Sequence, residues 1–118
     1  MIREAWQTSA VNLLHRFISE ANGRHCDIRL FKRSRFTVKC EHEPPFPCNG
    51  HGALVQSYGF VGDWHEQEDG FRLESYAGDR ALEIHRSGDN YITREMGYPS
   101  DTKYPYDKLD SLELTKIK

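Results

Sequence analysis

Apolar side chains recur at three- and four-residue spacing at the start of the chain: Ile2, Trp6, Leu13, Leu14, Phe17, Ile18 and Ala21. That period gathers them into one stripe of a helix, with Arg3, Gln7, Asn12, Arg16 and Glu20 on the opposite face. Asn22-Gly23 follows as a left-handed stop. The spacing therefore predicts an amphipathic N-terminal helix whose stripe lies on a sheet. After it the period drops to two. Cys26, Ile28 and Leu30 alternate with Asp27 and Arg29, and Phe36, Val38 and Cys40 alternate with Arg35, Thr37 and Lys39. With Lys32-Arg33-Ser34 as the turn, Leu30 faces Phe36, Ile28 faces Val38 and Cys26 faces Cys40, so every apolar side chain falls on one face.

Pro44, Pro45 and Pro47 make residues 43–52 a loop, and Asn49-Gly50 reads as a tight turn inside it. Ala53 to Phe60 is a continuous apolar strand, and the acidic run from Gly62 to Gly70 is an exposed connection. Phe71, Leu73 and Ser75 give the next strand. Leu82 and Ile84 pair with Tyr91 to Glu95 through the turn Ser87-Gly88-Asp89-Asn90. Gly97 to Asp110 is irregular, and Leu112 and Leu114 close a last short strand. One helix followed by short strands predicts an α+β fold, an N-terminal amphipathic helix packed on an antiparallel sheet of about six strands.

Composition narrows the class. At 118 residues the chain makes one domain over 1–118, because two cores would leave each half too small to stand alone. With 37% hydrophobic and 29% charged residues it is an ordinary soluble composition, and no apolar run reaches the length of a membrane span. The charged start is unlike a signal peptide, and the three cysteines are an odd number, which together imply a cytoplasmic setting with reduced thiols. Charge is uneven: residues 1–39 carry eight Lys/Arg against three Asp/Glu, while residues 40–118 carry eight against fifteen.

Two of the three cysteines and two of the six histidines fall in the stretch Cys40, His42, Cys48, His51. Soft and borderline ligands gathered in a Pro- and Gly-stiffened loop are what a closed tetrahedral zinc site needs, so these four residues are candidate ligands for one structural zinc. The spacing matches no standard finger, and the alternative is half-buried thiols beside solvated histidines. Cys26, opposite Cys40, is a possible replacement ligand or disulfide partner, the latter disfavoured in a reducing compartment. Cys48 and His51 form the parts of a thiol nucleophile, but no helix N-terminus or third orienting residue stands behind them. His85, Asp79, Asp89 and Glu83, with Arg86 and Arg94, do not converge as hydrolytic machinery requires, and no phosphate loop or nucleophile elbow is present.

Binding chemistry is better supplied. Trp64, Glu66, Asp69, Tyr98, Asp101, Tyr104, Tyr106 and Asp107 interleave aromatic anchors with carboxylates that steer a basic partner. The leading expectation is a non-enzymatic protein-binding factor, an inhibitor or immunity-type protein, presenting that acidic, aromatic surface to a basic site. The alternative is a zinc-stabilised module that contacts nucleic acid or an acidic partner through the basic hairpin 24–39, with Arg29, Arg33, Arg35 and Lys39 on its polar face.

Overall fold

A computed structural model describes residues 12–21, 23–42, 56–78, 80–96 and 109–117. They form eight strands: β1 Leu13–Ala21, β2 Arg24–Phe31, β3 Arg35–His42, β4 Gln56–Gln67, β5 Gly70–Ser75, β6 Ala81–Ser87, β7 Asn90–Met96 and β8 Glu113–Ile117. Each pairs antiparallel with the next, and β8 returns to β1 over Arg16–Ile18, so the sheet closes into a barrel. The fold is all-β. No helix occurs among the described residues, which corrects the expected α+β architecture and its count of about six strands.

The error lies in β1. Residues 13–21 are a strand, and residues 2–11 of the expected helix lie outside the described residues. The inward positions of β1 are His15, Phe17 and Ser19, two of them polar, while Leu14 points outward and is 46% exposed. A helical spacing of apolar residues was thus produced by mixing the two faces of a strand. The expected helix stop is instead a point where strands turn back, since Ala21 pairs with Arg24 and Gly23 sits at φ 75°. Closure also demands a strand here, because only β1 can satisfy β2 and β8 at once.

The other hairpins follow their alternation. β2 and β3 pair with Leu30↔Phe36, Ile28↔Val38 and Cys26↔Cys40, as the one-face argument requires. β6 and β7 pair from Leu82↔Glu95 to Ser87↔Asn90. β4 departs from expectation: it begins at Gln56, with Ala53–Val55 outside the described residues, and runs through Gln67. The supposed acidic connection is therefore strand as far as the turn at Glu68-Asp69. What disguised it is glycine. Gly62 is shared by both neighbours of β4, Phe36 on one side and Ser75 on the other. A Cβ there would stand 1.9 Å from the Glu74 carbonyl oxygen, and one at Gly70 would stand 1.7 Å from that of Ile84. These two positions let neighbouring backbones close to the separation the bent sheet requires.

Inward side chains fill the barrel. Phe17, Ile28, Leu30, Phe36, Val38, Leu73, Leu82, Ile84 and Leu114 are buried, as are Cys26 and Cys40. Eight strands make an interior that side chains alone can fill, so this is a packed core and not a channel. Outside, Arg16, Asp27, Arg29, Arg72, Glu74 and Glu83 sit at mid-strand, where a lipid-facing barrel carries an apolar band.

If the two glycines act by close approach, Gly62→Ala and Gly70→Ala should each cost roughly 2 kcal/mol or more in urea unfolding. Gly78→Ala should cost about 1–2 kcal/mol, since that residue has open space around it and only a positive φ, 76°, to oppose a side chain.

Candidate functional site

The expected metal site is corrected first. Cys26 and Cys40 face each other across β2 and β3 with their Cα atoms 4.1 Å apart and are joined as a disulfide. Cys40 therefore has no thiolate to offer a metal. His42 ends β3, and Cys48 and His51 lie outside the described residues. Among the described residues no group of three or more His, Cys, Asp or Glu side chains could hold a metal ion. The pair that a reducing setting argued against is formed because β2 and β3 place it in a non-hydrogen-bonded position, where facing side chains come closest.

Strand connections alternate between the two ends of an up-and-down barrel, and this sorts the expected acidic surface. The turn bearing Glu68 and Asp69 lies at the end shared with Lys32-Arg33-Ser34. Met96 and Leu109, which flank residues 97–108, lie at the other end. Tyr98, Asp101, Tyr104, Tyr106 and Asp107 are outside the described residues. Glu66 and Asp69 are exposed, while Trp64 is half-buried and packs against the core. Its indole N–H donates to the Phe31 carbonyl at 2.8 Å, and its ring meets Phe71 and His15 edge-on.

Trp64 also donates its backbone N–H to Ser34 O at 2.8 Å, while Lys32 donates its own to Asn12 O at 2.9 Å. These contacts hold the β2–β3 turn, in which Arg33 and Ser34 take left-handed φ of 66° and 61°. Around it Lys32, Arg33, Arg35 and Lys39 are exposed, and among the described residues none of the four forms an ion pair. Arg29 differs, because it shares Asp27 with Arg16, at 3.1 and 2.9 Å. Burial pushes the Asp27 carboxyl up, but the two guanidiniums outweigh it and hold it below the usual range. Beside the hairpin, Val61 and Tyr76 are in register across strands and are 50% and 61% exposed.

At the other end the barrel carries a buried charge. Phase along β7 turns Tyr91, Thr93 and Glu95 inward, and the Glu95 side chain is fully enclosed. Arg80 meets it with two guanidinium nitrogens and stacks over Phe60 at 4.4 Å. Glu95 also accepts the Leu109 N–H at 2.9 Å, and its own N–H donates to Asp110 Oδ1 at 3.0 Å. Thr93 completes the fastening: its hydroxyl donates to Leu109 O and accepts the Leu112 N–H. Segment 109–112 is thereby bound to β7, with Leu109 driven into the core as a plug. Sequence reading missed this latch, although an acid in the inward phase of a strand is itself a signal for a buried cation elsewhere.

Fastening segment 109–112 to β7 draws the start of β8 away from β1. The β1–β8 ladder stops at Ile18↔Thr115, although β1 continues to Ala21. Between the diverging strands lies a cleft of about 570 Å³, bounded by Ile18–Ala21 and Arg24 on one side and Asp110–Thr115 on the other. Three carboxylates border it. Glu20 touches His25 Nδ1 at 2.8 Å, Asp110 is engaged by Glu95 N–H, and Glu113 is exposed. Carboxylates and strand ends thus share one concave feature of the described surface.

The Glu83 carboxyl is also lowered. Burial pushes it up, but the His85 ring 3.1 Å away leads the groups that outweigh this. Both side chains lie on the outer face, where Arg72 also reaches Glu83 at 3.4 Å.

Replacing Glu95 with Leu strands the Arg80 guanidinium without its carboxylate and should cost about 3–5 kcal/mol in chemical unfolding. The double variant Arg80→Met with Glu95→Leu should recover much of that loss. His15 supplies a pH test. Its Nδ1 is buried with no hydrogen-bond partner, and burial, then Lys116, push its pKa below 6.5 against a smaller opposing pull from Glu66. The folded form thus takes up a proton less readily than the unfolded one. Stability is complete above pH 6.5 and falls as pH drops below it toward the lowered folded value. Thermal melts of wild type and His15→Phe at pH 7 and pH 5 should show the smaller drop in the variant. Comparison with known proteins assigns no lineage: no family model, curated protein or solved structure matches the chain, and the functional reading rests on the side chains themselves.

Proposed function

We propose that the protein is a non-enzymatic binding factor of the inhibitor or immunity type, which offers an acidic surface to a basic site on another protein. The packed interior leaves recognition to the outside of the barrel. The observation that carries the reading is the cleft between β1 and β8, bordered by Glu20, Asp110 and Glu113. The chain enters that cleft directly from the stretch bearing Tyr98, Asp101, Tyr104, Tyr106 and Asp107, so acid and aromatic side chains are continuous in sequence with it. Carboxylates around a concave feature raise the local concentration of a cationic partner and fix its orientation.

A second reading has its own observation. The basic β2–β3 turn is fixed by Trp64, and its four cations lack carboxylate partners among the described residues. Such a surface suits an acidic partner or single-stranded nucleic acid.

Fluorescence anisotropy at physiological ionic strength separates the two. A labelled lysine-rich peptide should bind, a single-stranded DNA oligonucleotide should not, and Arg33→Glu with Arg35→Glu should leave peptide binding intact. DNA binding that disappears in this pair of substitutions, without peptide binding, transfers the function to the basic hairpin. Binding of neither probe contradicts both readings.

A further inference from the structure

We infer that the cleft between β1 and β8 is a docking slot for an extended basic peptide, which pairs by its backbone with the open edge of β1. The inference rests on the protein-binding reading and specifies its mode. The hydrogen-bonding phase of the strands leads to it. The Cys26↔Cys40 pair, with Cα atoms 4.1 Å apart, is non-hydrogen-bonded, so Cys26 turns its N–H and C=O to β1, and Ser19 opposite it, with Ala21 and Phe17 in the same phase, turns its own to β2. The intervening residues Arg16, Ile18 and Glu20 turn theirs to β8. Arg16 and Ile18 meet Ile117 and Thr115, but Glu20 lies past the end of the ladder. Across the opening, Glu113 is the β8 residue in the matching phase, and it too is unpaired with β1.

Two strand ends therefore present main-chain donors and acceptors to one cleft, the arrangement that β-strand addition uses. Ser19 gives an independent sign that the slot takes a polar chain. It is 4% exposed, lines the cleft, and its hydroxyl has no hydrogen-bond partner among the described residues. The charges select the occupant. Glu20, Asp110 and Glu113 favour cationic side chains, while the single cation of the lining, Arg24, already has a partner of its own.

The test uses the full chain with two labelled hexapeptides, alternating Lys-Val and alternating Glu-Val, and reads anisotropy together with amide hydrogen exchange. The Lys-Val peptide should bind and the Glu-Val peptide should not. Glu20→Lys with Glu113→Lys, which are surface changes checked by their melting temperature, should weaken binding by roughly tenfold or more. The Glu20 amide should exchange rapidly in the free protein and become protected by the peptide. If the Lys-Val peptide binds with equal strength to the charge-reversed protein and leaves Glu20 unprotected, the docking slot is wrong while the acidic-surface reading survives. A Glu20 amide already protected in the free protein overturns the slot as well, because the edge is then occupied by the chain itself. No binding of any lysine-rich peptide removes both.

Discussion

A carboxylate enclosed in a protein must be met by a cation and by hydrogen-bond donors, and Glu95 imposes that demand on the whole barrel. It is met by Arg80 from the start of β6 and by the backbone of Leu109. Because Leu109 N–H is one of its donors, the returning chain is bound to β7 before β8 begins. Thr93 repeats the attachment one pair further along, at Leu109 and Leu112. The register of β8 follows from these bonds, with Tyr91↔Leu114 and Ile92↔Glu113. So does its departure from β1. One buried ion pair thus closes the barrel on one side of β8 and opens it on the other.

This links stability to function in a particular way. Leu109, Leu114 and Phe17 belong to the core that the latch seals, and the latched segment also borders the cleft. The opposite end is sealed by apolar contact instead. There Phe71 lies 4.7 Å from His15 and 5.7 Å from Phe17, and Trp64 ties the basic turn to the wall. The disulfide across β2 and β3 reinforces a hairpin that its own alternation already specifies. The two ends are therefore built by different physics, one fastened by a buried ion pair and the other by ring packing.

How much of this the chain announces depends on which side chains face inward. The hairpin at 26–40 is legible because its inward residues are all apolar and its outward ones mostly charged, while that at 82–95 is legible from its turn and from Leu82 and Ile84, despite the inward Thr93 and Glu95. Strand β1 is not, because His15 and Ser19 take inward places while Leu14 and Ile18 take outward ones, and the resulting spacing imitates a helix. Strand β4 is legible as far as Phe60 but hidden beyond it by Gly62 and by Asp63, His65 and Glu66, which read as a loop until the bend of a closed sheet is considered. The candidate zinc site failed on the register that sequence reading itself supplied: the pairing Cys26↔Cys40 was correct, and it consumed the thiol that the metal required. The cleft was invisible, since it arises from the end of a ladder and not from any motif.

The β1–β8 ladder ends at Ile18↔Thr115 and leaves Glu20 and Glu113 apart. In an antiparallel ladder the α-protons of facing residues approach closely at alternate, non-hydrogen-bonded pairs, and here those are Phe17↔Lys116 and, if the ladder continued, Ser19↔Leu114. Nuclear Overhauser spectroscopy on the free protein reads both. A strong α-proton contact between Phe17 and Lys116, with none between Ser19 and Leu114, is the predicted result. A contact of equal strength at Ser19 and Leu114 would show β1 and β8 zipped to their ends, and the cleft with everything built on it would be gone.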